Sequence, residues 1–213
     1  MNDLQNIFTA IYKKHGWSSK ESASGIGSEL ASTENIRKEI PILFNKMNIN
    51  RVLDIGCGDF NWMKEIVGEF DYYLGVDVVK EIIDNNIQQY ASTDIEFRSD
   101  SIHDIGLQAY DFDVAIINDV LVHLPFKEIY AILHHLQKNG VLYVLMSHFF
   151  MHPQNMDIRA GQWRKLNFEK YPFLFPTPIC SITHNQELDK KGKLNKNASD
   201  KTLSLWYLED LKL

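Results

Sequence analysis

Leu4, Ile7, Phe8 and Ile11 fall at i, i+3, i+4 and i+7, which predicts an amphipathic helix ending near His15-Gly16. A polar stretch follows, "WSSKESASGIGSELAST", whose Ser and Gly content marks a loop. Helical spacing resumes at Thr33 and runs toward Met47, with Pro41 expected to kink or divide it. "RVLDIG" is the first run of buried-strand character, and from there two periodicities alternate. A helix is expected over Trp62 to Val67, the strand "DYYLGVDVV", a helix over Lys80 to Tyr90, the strands "IEFRSD" and "FDVAIIND", a helix over Pro125 to Gln137, and the strand "GVLYVLMSHF". Such alternation predicts an α/β fold, Rossmann-like, with a mostly parallel seven-stranded sheet and helices on both faces.

The last third has a different pattern. Residues 151–178 hold four of the six prolines among mixed aromatics, more like a cover than a further repeat unit. "PICSITH" and "KTLSLWYLEDL" then read as a C-terminal antiparallel hairpin at the sheet edge. A chain of 213 residues suits one domain: residues 1–48 as N-terminal helices and lid loop, 50–148 as a cofactor-binding core, and 149–213 as substrate cover and edge hairpin.

Composition narrows the choice of ligands. The net charge of −6 offers no long-range attraction to nucleic acid. That charge is uneven, −9 over residues 1–150 and +3 over residues 151–213, with Lys190, Lys191, Lys193 and Lys196 in a segment that reads as a solvated loop or an anion-binding flap. Cys57 and Cys180 are too few for a disulfide framework and read as reduced thiols. No apolar run is long enough to span a membrane and the first residues do not form a signal peptide, so a cytoplasmic protein, monomer or homodimer, is expected.

Chemistry concentrates at the strand ends, where open parallel sheets bind their ligands. After the first strand, Gly56 and Gly58 allow close backbone approach. A dinucleotide fingerprint requires a third glycine where this chain has Asn61, and the charge of Asp54 would repel a pyrophosphate while favouring an ammonium group. Asp77 ends the second strand, where a carboxylate can accept from two ribose hydroxyls. An adenosine carrying an amino acid satisfies all three observations.

Asp54-Ile55-Gly56-Cys57-Gly58, Gly75-Val76-Asp77 and Ser99-Asp100-Ser101 together resemble the successive motifs of class I S-adenosylmethionine-dependent methyltransferases over roughly residues 50–148. The resemblance implies S-adenosyl-L-methionine as cofactor and S-adenosyl-L-homocysteine as product. It further implies that Asp77, beside Val78, holds the ribose, that Asp100 with Ser101 and Ile102 holds the adenine, and that Asn118 and Asp119 line the methionine end. Phe60 departs from the fuller pattern, standing where a third glycine is usual. The flanks "GWSSKESASGIGS", "NDVLVHLP" and "DIRAGQWRKLNFEKYPF" are similar to a bacterial branch associated with capsule and surface-polysaccharide biosynthesis, including phosphoramidate modification. In that reading Trp17 and the loop containing Gly25 and Ser28 close over the methionine end.

An alcohol acceptor needs a general base. His148, past the end of a strand, is the preferred candidate and His123 the second, with Asp119 one helical turn from His123 and placed to raise its pKa. His134-His135 reads as solvent-facing, and no metal site is expected. Arg159, Trp163 and Arg164 are candidates to grip an anionic substrate group. The sequence "NDVL" lacks the D/N-P-P-Y/F pattern of base N-methylation, and neither cysteine is placed for cytosine C5 chemistry. The expected activity is therefore O-methylation of a small polar or carbohydrate-linked acceptor, including a capsule or phosphoramidate precursor, with no nucleic-acid or membrane partner. The alternatives are an NAD(P)-dependent oxidoreductase and a catalytically silent cofactor-binding module.

Overall fold

A computed structural model describes residues 3–17, 19–101, 105–107, 110–184 and 200–213. Its elements run α1 (Asp3–Lys13), α2 (Leu30–Met47), β1 (Arg51–Ile55), β2 (Tyr72–Val76), α3 (Lys80–Tyr90), β3 (Ile95–Arg98), β4 (Val114–Ile117), α4 (Phe126–Lys138), β5 (Tyr143–Phe149), β6 (Cys180–Thr183) and β7 (Lys201–Tyr207). The strands form one sheet in the order β3-β2-β1-β4-β5-β7-β6. β3 through β5 are parallel, while β7 runs antiparallel to β5 and to β6. The expected fold class is the observed one.

Strand alternation divides the core between the two faces of the sheet. Leu53, Leu74 and Ala115 point to one face, where Ile129, Leu133 and Leu136 of α4 and Phe168 and Phe173 of the cover pack. Val52, Tyr73 and Val114 point to the other, against Ile36, Ile40 and Phe44 of α2 and Ile83 of α3. Strand order reverses between β1 and β4, where the following connections leave in opposite directions and a crevice opens at the carboxyl ends.

Two local expectations need correction. α2 begins at Leu30 and runs unbroken through Pro41. Burial of Ile36, Ile40 and Phe44 on both sides of the proline outweighs its missing N–H, a defect of about 3 kcal/mol in an unsupported helix. The helix expected over Trp62 to Val67 is instead two single 3-10 turns, Met63–Glu65 and Val67–Glu69. So short a segment cannot offset helix nucleation, and its apolar residues Trp62, Met63, Ile66, Val67 and Phe70 are placed by burial instead. The C-terminal hairpin closes one edge of the sheet as expected: β7 lies between β5 and the outer strand β6 and is buried nearly throughout, in keeping with its apolar run "LSLW".

Candidate functional site

A cavity of about 480 Å³ opens at the carboxyl ends of the parallel strands. One end is built by the turn after β1. Gly56 and Gly58 have φ of 73° and 55°, and a Cβ on Gly58 would lie 1.9 Å from Ser24 Oγ, so only glycine permits the loop to pack here. Phe60 has φ 59° and thus takes the left-handed conformation expected of the glycine it replaces. Its ring lies 5.0–5.3 Å from those of Phe97, Tyr73 and Tyr90, and this packing compensates for the strained backbone.

Asp77 Oδ2 accepts from the Gly58 N–H at 3.2 Å and Oδ1 from the Val79 N–H at 2.9 Å. Burial raises its pKa, and these N–H groups oppose the rise. A carboxylate has about four acceptor positions, so two remain for a ligand. Val78, Asp100, Ser101 and Asn118 also line the cavity, with Val79 and Ile82 as an apolar wall. Ile102 lies outside the described residues, as does the Lys190–Lys196 segment.

The Ser/Gly loop is held against the turn by one carboxylate. Asp59 accepts from Ser22 Oγ at 2.9 Å, the Ala23 N–H at 2.6 Å and Ser24 Oγ at 3.0 Å, and its own N–H donates to Ser24 Oγ. Asn61, where a dinucleotide fold would have glycine, donates to Glu21 Oε1 at 2.7 Å and to the Ser28 carbonyl at 3.0 Å. Trp17, Gly25, Gly27 and Ser28 thereby become one wall of the cavity.

At the other end Asp119, with φ 59°, is fixed by its N–H to Ser147 Oγ at 2.8 Å. Ser147 Oγ in turn donates to Asn118 Oδ1 at 3.0 Å. Lys201 Nζ pairs with Asp119 Oδ2. Burial alone would raise the Asp119 carboxyl, but Lys201, His184 and His123 together hold it below the usual range. His123 lines the same end, its Nδ1 2.9 Å from the Gln162 carbonyl. A carbonyl only accepts, so Nδ1 carries the proton and Nε2 keeps its lone pair. Burial lowers the pKa of His123, with the Gln162 carbonyl and Asp119 opposing, so the ring is neutral near pH 7. The expected net rise from Asp119 is not found, because desolvation exceeds it.

Several site expectations are corrected by position. His148 is 1% exposed and does not line the cavity; its Nδ1 accepts from the Phe168 N–H at 3.2 Å, Nε2 lies 3.4 Å from Glu169, and its ring meets those of Phe168 and Trp206. It ties the cover to β5. Arg164 is also buried, donating to the carbonyls of Met156, Leu121 and Leu124 at 2.9, 3.0 and 2.6 Å, so its fork serves backbone and not an anion. Arg159 is exposed and outside the cavity, whereas Trp163 lines it. Asp54 does not face the ligand side: it is 4% exposed and accepts from Tyr73 OH at 2.7 Å. Burial, with the charge of Asp77, pushes its pKa up to about 7 against that hydrogen bond. Cys57 is buried with Sγ toward Gly75, and burial raises its thiol pKa well above the usual value. His135 is partly covered, its Nε2 3.3 Å from the Ile105 carbonyl.

Lys201 is the functional-end residue that sequence reasoning missed. A signal existed, because a strand antiparallel to a parallel sheet begins where its neighbours end. Lys201, the first residue of β7, pairs in register with Phe149, the last of β5. Among the described residues, no cluster of three or more His, Cys, Asp or Glu could hold a metal ion, and no helix is long and apolar enough to cross a membrane.

Residues 52–140 match the family model described as a methyltransferase domain. No curated protein matches the chain. Among solved structures, the 1,6-didemethyltoxoflavin-N1-methyltransferase of Burkholderia thailandensis, with bound 1,6-didemethyltoxoflavin and S-adenosylhomocysteine, is similar at TM-score 0.62 and 16% identity, covering 95% of this chain and 85% of that one. The magnesium protoporphyrin IX methyltransferase of Synechocystis PCC 6803 with bound SAH is similar at TM-score 0.53 and 16% identity, covering 70% and 73%. The N-methyltransferase NodS of Bradyrhizobium japonicum WM9 is similar at 0.53 and 13%, covering 68% and 74%. At such identities the structures establish the fold. The family match covers the 52–140 span, which carries the glycine turn, Asp77 and Asp119.

Proposed function

We propose that this protein is an S-adenosylmethionine-dependent methyltransferase that methylates an oxygen of a small polar or carbohydrate-linked acceptor. The observation that carries this reading is one continuous cavity joining Asp77, Asp100 and the glycine turn to Asn118, Asp119 and His123. Its volume of about 480 Å³ suits a nucleoside-sized ligand with room beside it. The methyl donor, S-adenosylmethionine, supplies a methyl group on a sulfonium, a leaving group that needs no further activation.

The two free acceptor positions of Asp77 take the ribose hydroxyls, and Val79 and Ile82 cover the apolar face of the base beside Asp100. The Gly58 N–H is already engaged by Asp77, which leaves the turn poorly suited to a pyrophosphate and disfavours the nicotinamide alternative. Asp119 and Asn118, fixed through Ser147, line the methionine end. The lid, docked through Asp59, excludes water from the reacting centre. His123 Nε2 is the free lone pair that receives the proton of an acceptor hydroxyl, and Asp119 stabilises the imidazolium that results. Resemblance of the flanks to capsule-associated methyltransferases supports a surface-polysaccharide precursor as acceptor. The whole chain acts as one unit in this reading, with the lid, core and cover each lining the cavity.

Calorimetric titration of S-adenosylmethionine and S-adenosylhomocysteine into wild type and Asp77→Ala, with NADH as control and melting temperature as a check on folding, tests the proposal. Adenosyl ligands are expected to bind wild type, and Asp77→Ala to bind at least about tenfold more weakly, about 1.4 kcal/mol. Binding of NADH alone, or of none of the three, would overturn it.

A further inference from the structure

The acceptor end holds a buried cation that methyl transfer does not by itself require. The Lys201 side chain is 4% exposed, yet the residue lines the cavity. An ammonium has three N–H donors, and among the described residues Asp119 Oδ2 is the one acceptor that it reaches. Among the described residues two donors are left without an acceptor in a place nearly shut off from water, where an unsatisfied charge is costly. The lid roofs the same spot: a Cβ on Gly27 would lie 2.6 Å from Asp119 Oδ2 and 3.6 Å from Lys201 Nζ. Closure over the pair therefore depends on a residue without a side chain.

Position in the sheet sets this cation apart from the ribose end of the cavity. Lys201 belongs to β7, four strands from the β2 end that carries Asp77, and it pairs in register with Phe149. Phe149 and Trp163 of the cover line the cavity with it. The anion-gripping role expected of Arg159 and Arg164 thus passes to a residue that reaches the cavity. We propose that Lys201 binds an anionic oxygen, of a phosphate or a carboxylate, carried by the methyl acceptor beside the hydroxyl that is methylated; this rests on the methyltransferase reading above. The carboxylate of the cofactor's own amino acid has the same chemistry, so the test separates the two sources.

Inorganic phosphate and acetate are titrated into wild type saturated with S-adenosylhomocysteine and followed by amide NMR shifts at Gly27 and Lys201, with Lys201→Met and Lys201→Arg alongside. Saturable shifts in the millimolar range are expected in wild type, weakened at least about tenfold in Lys201→Met and kept within about threefold in Lys201→Arg, while affinity for S-adenosylhomocysteine changes less than about threefold. No saturable shift in wild type, or equal anion binding in Lys201→Met, overturns the proposal. A tenfold loss of S-adenosylhomocysteine affinity in Lys201→Met also overturns it, by giving Lys201 to the cofactor carboxylate. Since Lys201→Met strands Asp119, Lys201→Gln, which keeps an N–H donor for Asp119 without the charge, replaces it if Lys201→Met fails to fold. If wild type binds no S-adenosylhomocysteine, the methyltransferase reading falls, and phosphate titrated into the free protein decides the Lys201 site by the same criterion.

Discussion

The two ends of the cavity are made differently. At the cofactor end the backbone does the shaping: positive φ at Gly56, Gly58 and Phe60, and amide N–H groups directed at Asp77 from Val79 just beyond it and from Gly58 on the turn after β1. At the end lined by Asp119 and His123 side chains do it across long separations, Lys201 to Asp119, His123 to the Gln162 carbonyl, and Arg164 to the carbonyls of Leu121 and Leu124. A backbone cradle tolerates change in its surroundings as long as the turn survives. A wall of side-chain contacts can be rebuilt by substitutions in the cover, which is where acceptor choice would be expected to vary.

The contrast is sharpest at Arg164, whose guanidinium fastens the cover to the chain after β4. Burial lowers its pKa to about 10, against the pull of Asp157, so it remains charged. Arg164→Met would leave the carbonyls of Met156, Leu121 and Leu124 without this donor. At about 1 kcal/mol or more for each, the loss should be roughly 3–4 kcal/mol, or roughly 10 °C in melting temperature for a chain of this size. Arg159→Met, at an exposed position, should stay within about 0.5 kcal/mol. Equal melting of the two variants by calorimetry would show that the cover is not anchored through Arg164.

Acid titration distinguishes the ends with opposite signs. His184, 5% exposed near the Lys201–Asp119 pair, has its pKa lowered to about 3, first by burial and then by Lys201. Below the unfolded value of about 6.5 the unfolded chain takes a proton that the folded one refuses, so this group removes stability as pH falls from 6.5 toward 3. Asp54, at about 7, behaves oppositely: between about 3.9 and 7 the folded chain keeps a proton that the unfolded one releases, and stability rises as pH falls. In wild type the two largely cancel. Between pH 7 and 4.5, His184→Asn should gain roughly 2–3 kcal/mol relative to wild type and Asp54→Asn should lose a similar amount, at about 1.4 kcal/mol per pH unit. Urea unfolding across that range reads the difference, and parallel curves for all three proteins would remove both groups as the source.

What could be read from the sequence follows the same division. The turn, Asp77, Asp100 and Asn118 were accessible because each ends a strand in a βαβ series, and the topology then places all of them at one edge. Phe60 looked like a defect, since the sequence does not display the aromatic cluster that holds it in a left-handed conformation. His148 ends a strand as cavity-lining residues do, but the sequence does not display the packing of Phe168 and Trp206 that buries it. Lys201 was hidden in a segment whose alternation reads as an ordinary strand. Only the antiparallel register, with β7 beginning beside the end of β5, turns a flanking lysine into a buried one.

The smallest predicted effect concerns the junction between lid and turn, and it asks whether the cofactor end is as self-sufficient as its backbone geometry implies. Asp59 is the one side chain in the turn that accepts from Ser22, Ala23 and Ser24 together. Asp59→Ala leaves Gly56, Gly58 and Asp77 intact but releases that strap, while Glu21 and Asn61 still hold the far side of the loop. Ala23 is exposed and Ser24 half-buried, so these donors regain water when the strap is released, and the cost should be about 1 kcal/mol, equivalent to about fivefold in affinity for S-adenosylhomocysteine. Global melting should change little, because most of the loop lies outside the two core clusters. Calorimetry would read the affinity, and amide hydrogen exchange over residues 19–29 would read the loop. Faster exchange with unchanged affinity would mean that the turn binds without its lid, and unchanged exchange would mean that Glu21 and Asn61 suffice to hold it.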